Sequence, residues 1–205
     1  MPADDQLVVI ACGALARELT MLIRRNGWDH MQVQCLPPEL HNRPERIPDA
    51  VRGKIRAAKE QFAAVFVAYG DCGTGGFLDD VLTEEGVDRI PGAHCYEFFA
   101  GPEAFSALAD EEPGSFYLTD FLARHFDRLI WKGLGLDRYP DLMAQYFGNY
   151  RRLVYLSQFE DADLTARARQ AADRLGLEFE HRVTGFGDLE RSVETFAGRI
   201  PVWPS

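Results

Sequence analysis

The chain has no cluster of Lys or Arg, and none of its apolar runs approaches the roughly 20 residues that a membrane span needs. With 22 Lys and Arg against 32 Asp and Glu, its net charge is -10. Nucleic acids and anionic membranes both require a basic footprint, so neither is expected as the main partner. The start, Met1-Pro2-Ala3-Asp4-Asp5-Gln6, is acidic and offers neither a basic n-region nor a cleavage site. It therefore reads as no secretory signal and a cytoplasmic location. Nucleotide fingerprints are missing too. Ala11-Cys12-Gly13-Ala14-Leu15-Ala16 has one glycine where the dinucleotide turn needs three, and Gly70 to Gly76 lacks the Gly-Lys-Ser/Thr that holds phosphate and Mg²⁺. There is no Cys-x-x-Cys pair, and four scattered cysteines in a reducing compartment do not make a disulfide framework.

What is present is ordinary globular composition, 46% hydrophobic and 26% charged over 205 residues. That is enough to build a stable core without staples. Apolar, β-branched runs predict buried parallel strands: Leu7 to Ala11 before Cys12, Met31 to Gln34 before Cys35, and Val65 to Ala68 before Tyr69-Gly70-Asp71-Cys72. A fourth strand is predicted around Arg89 to Phe99, carrying His94-Cys95. Helices are predicted between them at Ala14–Asn26, about Asp49–Gln61, and from the Gly73-Thr74-Gly75-Gly76 turn through Leu78, Val81 and Leu82 to Gly86.

The pattern then turns helical over residues 102–150, with Pro102–Leu108, Thr119–Trp131 capped by Thr119, and Tyr139–Phe147. A short strand at Gly114–Leu118 lies among them. Strands return at Arg152–Leu156 and Leu177–Val183, around a helix at Ala162–Leu175. A last helix, Leu189–Ala197, precedes an apolar tail from Ile200 to Ser205. The expected fold is α/β: an open, mostly parallel Rossmann-like sheet with flanking helices and a helical insertion before the last strands. It reads as one domain over residues 1–205, with residues 102–150 as a candidate sub-lobe.

Every cysteine falls at the carboxyl end of a predicted strand, the edge where open α/β sheets bind ligands. Cys72, His94 and Cys95, joined by Cys12, Cys35 and His41, form the leading constellation. Thiolate and imidazole are the donors that soft or borderline metals select, so zinc is the first expectation and an iron–sulfur cluster the second. Asp71 and Glu97 are candidate proton-transfer partners. Gly73, Thr74 and Gly75 are candidates to present backbone donors to a cofactor or anionic intermediate. The competing reading is that cysteine packs as a small hydrophobe. A metal-free cysteine nucleophile, with His94 activating Cys72, is a further alternative. Asp120 reads as a helix cap, and His30, His125 and His181 as surface or packing residues.

At Cys35-Leu36-Pro37-Pro38-Glu39-Leu40-His41-Asn42, Tyr69-Gly70-Asp71-Cys72-Gly73 and Gly92-Ala93-His94-Cys95-Tyr96-Glu97 the chain resembles the bacterial and archaeal family known as domain of unknown function 1638. The similarity extends through Tyr117-Leu118-Thr119-Asp120-Phe121-Leu122 and Tyr146-Phe147-Gly148-Asn149-Tyr150. Genes for such proteins often neighbour corrinoid-dependent methyltransferases. The resemblance therefore implies methyl transfer or corrinoid-linked one-carbon metabolism, with a corrinoid reached through a partner protein. The expected function is a metal-binding α/β protein acting on a small molecule, or else a non-catalytic accessory that delivers metal to a corrinoid protein. The apolar tail and the aromatic segment Tyr146–Tyr150 would then be contact surfaces, within a homo-oligomer or with the partner.

Overall fold

The computed structural model describes residues 3–198, with side chains from residue 6 onward; the apolar tail from Ile200 lies outside the described residues. The protein is α/β, with two three-stranded parallel sheets flanked by helices. Contacts divide the chain into two compact units, Met1–Phe98 with Asp188–Ser205, and Phe99–Gly187. The helical stretch 102–150 falls within the second. Among the described residues no helix is long and apolar enough to cross a membrane.

In the first unit, strands β1 (Ala3–Cys12), β2 (Met31–Leu36) and β3 (Phe62–Ala68) pair in the order β2-β1-β3. Central β1 is covered on both faces, which is why Leu7 to Ala11 reads as unbroken apolar sequence and is almost wholly buried. Val8, Ile10 and Cys12 point to the face packed by helix α2 (Ile47–Lys59) and helix α3 (Phe77–Glu85), through Ile47, Val51, Ile55, Leu78 and Leu82. Helix α1 (Ala16–Asn26) buries Leu19 and Leu22 along one apolar stripe.

The predicted fourth strand is corrected. Arg89 makes a single parallel bridge to Val67, and pairing stops at Pro91-Gly92. Beyond it, Cys95–Ala100 is helix α4. The aromatic run Tyr96-Glu97-Phe98-Phe99 carries β propensity, but local hydrogen bonding overrides it. The Glu97 carboxylate accepts from the Ala93 N–H at 2.8 Å, and the His94 carbonyl accepts from the Glu97 N–H at 3.1 Å.

The second unit holds helix α5 (Pro102–Glu111), strand β4 (Ser115–Thr119), helix α6 (Asp120–Arg124), helix α7 (Leu142–Phe147), strand β5 (Arg152–Ser157), helix α8 (Ala162–Leu175) and strand β6 (Glu178–Val183). Its sheet runs β4-β5-β6, all parallel. Central β5 is buried along its whole length. Helix α8 lays Leu164, Ala168, Ala171, Ala172 and Leu175 on that sheet, with Asp161 capping it by accepting from the Leu164 N–H at 3.0 Å. Helix α9 (Gly187–Ala197) belongs to the first unit from Asp188 on, where Phe196 stacks on Phe66 at 5.2 Å.

Candidate functional site

Two short loops at the carboxyl edge of the first sheet are bound together and set the Asp71-Cys72 turn against Gly92-Ala93, just before His94-Cys95. The Asp71 and Cys72 N–H groups donate to the Gly92 and Ala93 carbonyls at 3.2 and 2.8 Å. Gly70 permits this approach, because a Cβ there would lie 3.0 Å from the Ala93 carbonyl oxygen. The Arg89 guanidinium fastens the same corner, donating to both Asp79 carboxylate oxygens and to the Ile90 and Gly92 carbonyls. Within this frame Cys72 has a φ of 51°, and it is the one non-glycine positive φ among the described residues. Such strain persists only where surrounding structure enforces it.

The turn is built around Asp71. Its carboxylate accepts from Thr74 Oγ1 at 2.6 Å and from the Gly76, Gly73 and Gly75 N–H groups at 2.9, 3.2 and 3.2 Å. The Thr74 hydroxyl, with the three glycine amides, holds its pKa below the usual carboxylate range. The residues predicted to offer donors to a cofactor, Gly73, Thr74 and Gly75, thus spend them on Asp71. Glu97 is likewise engaged with the Ala93 N–H. Both carboxylates that the sequence offered for proton transfer have structural uses here.

Cys12 and Cys72 share one core cluster, and Cys95 lies within electrostatic reach of both. Cys12 ends β1, Cys72 follows β3, and Cys95 opens α4. Burial pushes the Cys72 thiol up to about 12, with Cys12 adding to the shift. Burial also raises Cys95 well above its ordinary value, and Cys72 and Cys12 raise it further. Cys12 is raised by burial, which outweighs the favourable Ala14 backbone and Tyr69 hydroxyl. All three are protonated at neutral pH. Cys35 stands to one side. Strand register sets Cys35 beside Ala11 and Leu36 beside Cys12, so Leu36, and not Cys35, shares the face of Cys12. Its pKa is raised by burial and then by Cys12, while Lys54 opposes.

His94 is half-buried, and His41 lies on an exposed 3-10 turn, Pro38–Asn42. Partial desolvation of the His41 ring lowers its pKa, and nearby His94 lowers it further. Among the described residues, no three His, Cys, Asp or Glu side chains are arranged to hold a metal ion. The donors gather at one edge without forming a finished ligand set.

A family model described as "Protein of unknown function (DUF1638)" matches residues 35–193. The chain belongs to this family. The DUF1638 match takes in Cys35, Cys72, His94 and Cys95 and begins after Cys12. No curated protein and no solved structure matches the chain.

The sequence reading of this DUF1638 chain missed Tyr69. The register ends with Ala11 beside Ala68, and its next step brings Tyr69 beside Cys12 in the same core cluster. The ring is buried, and burial, then the Cys12 charge and a side-chain hydrogen bond with Cys12, then Cys72 and Cys95, raise the pKa of its hydroxyl. The available signal was a tyrosine ending an otherwise aliphatic strand. In the second unit, Asp120 accepts from the Tyr155 hydroxyl at 2.7 Å and the Gln158 N–H at 3.2 Å, and Ser157 Oγ meets His181 Nε2 at 2.9 Å. These bonds tie strand ends together, an anchoring use of Asp120 and His181.

Proposed function

We propose that this protein binds a soft or borderline metal ion, Zn²⁺ first, at the carboxyl edge of its first sheet. Cys12, Cys72 and Cys95 are the thiolate ligands, His94 is the fourth donor, and Cys35 and His41 flank the site. One observation carries the reading: Cys12 and Cys72 share one buried cluster with Tyr69, and Cys95 lies within electrostatic reach of both. Ionising any of these thiols alone is unfavourable, and ionising a second beside it more so. A dication reverses that balance by supplying the missing charge and displacing the thiol protons. Binding draws Cys95 and His94, half-buried at the start of α4, toward the two deeper cysteines. An iron–sulfur centre is the second choice of metal and would recruit Cys35 as a fourth thiolate.

The same shifts count against a metal-free nucleophile. A thiol with a pKa pushed up to about 12 is ionised to only about one part in 10⁵ at neutral pH. Support of methyl transfer or corrinoid-linked one-carbon metabolism is the finer proposal. It rests on the resemblance at the Cys35, Cys72 and His94-Cys95 motifs, and it fits a metal that holds sulfur as thiolate. The accessory reading, in which the chain hands its metal to a corrinoid protein, draws on exposed Tyr139 and Tyr146 as contact residues. Capture of a corrinoid protein on co-purification would favour it over turnover of a small molecule by the isolated chain.

Elemental analysis with an absorption spectrum on the anaerobically purified full chain tests the metal. About one zinc per chain without colour is expected, with loss in folded Cys72→Ser and Cys95→Ser variants. Brown colour with iron and sulfide would move the assignment to a cluster. Full metal content in both folded variants, or no uptake of zinc or iron by the wild type, would overturn the reading.

A further inference from the structure

We propose that a cleft between helices α6 and α8 binds a phosphate dianion, free or carried by a small molecule, through Arg124, Arg167 and Arg174. All of its residues belong to the second unit, so it does not depend on metal binding in the first. Arg124 closes α6, while Arg167 and Arg174 share one face of α8 at i and i+7. No basic run in the sequence announces them, and only the packing of α6 and the π-turn Asp127–Trp131 near α8 brings them to one cleft of about 190 Å³. Gln170 lines it beside them, and buried Ala123 and Ala171 border it without the bulk to fill it. Cations gathered in this way repel one another, and in a chain of net charge -10 carboxylates to neutralise them are plentiful. Yet Asp127 is the one carboxylate in the lining, and its Oδ1 accepts from Arg174 Nη1 at 2.5 Å. Arg174 is held further by the Trp131 and Phe126 rings, whose centres lie 4.0 and 5.5 Å from its guanidinium carbon. Arg124 and Arg167, by contrast, make no ion pair and no side-chain hydrogen bond among the described residues.

Three guanidinium groups against one carboxylate leave two positive charges, which matches a phosphate dianion and exceeds what a carboxylate ligand would neutralise. The planar guanidinium fork suits paired phosphate oxygens, and the Gln170 amide can donate to another. The cleft is smaller than the roughly 300–1,000 Å³ of sites that enclose a whole organic ligand. It therefore takes the phosphate and leaves the rest of a larger molecule outside, along the adjoining groove that Arg167 and Gln170 border with Ala162, Thr165 and Ala166.

Isothermal titration of the full chain in chloride-poor buffer at neutral pH tests this with inorganic phosphate, phenyl phosphate and acetate. One phosphate or phenyl phosphate per chain should bind, about tenfold tighter than acetate, and added salt should weaken it. Arg124→Gln and Arg167→Gln should each lower phosphate affinity about tenfold, because each removes charge-assisted hydrogen bonds at a partly exposed site. Without phosphate both variants should melt no lower than the wild type, since neither side chain has a partner to lose. Tighter binding of phenyl phosphate would make the ligand a phosphorylated small molecule and tighter binding of inorganic phosphate the free ion, and either upholds the site. No binding of either at millimolar concentration, acetate held as tightly as phosphate, or wild-type affinity in both variants would overturn it. Variants that melt lower or fail to fold would show that these arginines serve the fold instead of an anion, and would overturn it too.

Discussion

Asp71→Ala should loosen the turn that carries Cys72, and the hydrogen bonds give the size of the effect. Oδ1 accepts from Thr74 Oγ1 and the Gly76 N–H, both partly buried, while Oδ2 accepts from the exposed Gly73 and Gly75 N–H groups. A hydrogen bond to a charged acceptor contributes about 1.5–3 kcal/mol when sheltered, and much less where water can take its place. Allowing little for the Oδ2 pair and discounting the Oδ1 pair for partial exposure, the alanine variant should lose about 2–3 kcal/mol. Asp71→Asn can keep its amide oxygen in the Oδ1 position and should lose only about 1 kcal/mol.

The pH dependence has a definite sign. The pKa of Asp71 is lowered in the folded state, so its contribution is present above the unfolded carboxyl value of about 4 and is lost as pH falls through the folded one. Chemical denaturation of wild type and both variants, at neutral pH and at about pH 3, measures this. The gap should narrow on acidification. An alanine variant within about 0.5 kcal/mol of wild type at neutral pH, or a gap that widens in acid, would refute the reasoning.

Three further outcomes are expected. Ile10→Ala, at a fully buried position on the central strand of the first sheet, should destabilise by about 2–5 kcal/mol in urea titration. Arg152→Ala should destabilise by about 2–4 kcal/mol, because Nε donates to Ser115 Oγ at 2.8 Å, Nη1 to Glu180 at 2.8 Å and Nη2 to the Leu108 carbonyl at 3.0 Å. Local protection in hydrogen exchange should fall along β4 and β6. In metal-free protein, alkylation of Cys72 followed by mass spectrometry should accelerate about tenfold per pH unit through about pH 9, and a plateau near neutrality would mark a lowered pKa instead.

Much of the fold was legible because its central strands β1 and β5 are buried on both faces. Leu7 to Ala11 and Val65 to Ala68 read as parallel strands from apolar continuity alone, and the short strand at Ser115–Thr119 matched its sequence signal. Residues 94–99 did not, since aromatic composition says strand while a glutamate reaching back four residues fixes a helical turn. Cys12 ends a strand as its sequence position suggested, whereas Cys72 lies in the loop beyond β3 and Cys95 opens helix α4, not a strand end. Cys35 stands apart because a one-residue difference in register changes the face, and no composition rule reports register. The glycine turn looked open to a ligand, but the carboxylate just before it claims its amides. That follows from the geometry of the loop rather than its residue types. Tyr69 escaped notice because its packing beside Cys12 and Cys72 is visible only once its neighbours are in place.

The most direct test of the metal site counts protons. Zn²⁺ is titrated into metal-free, reduced protein in weak buffer at neutral pH, and the acid released is measured against metal bound. Because burial keeps Cys12, Cys72 and Cys95 protonated, each thiol that ligates must give up its proton, and about three protons per zinc are expected. Zinc binding without proton release, or no binding, would contradict a thiolate site at this edge.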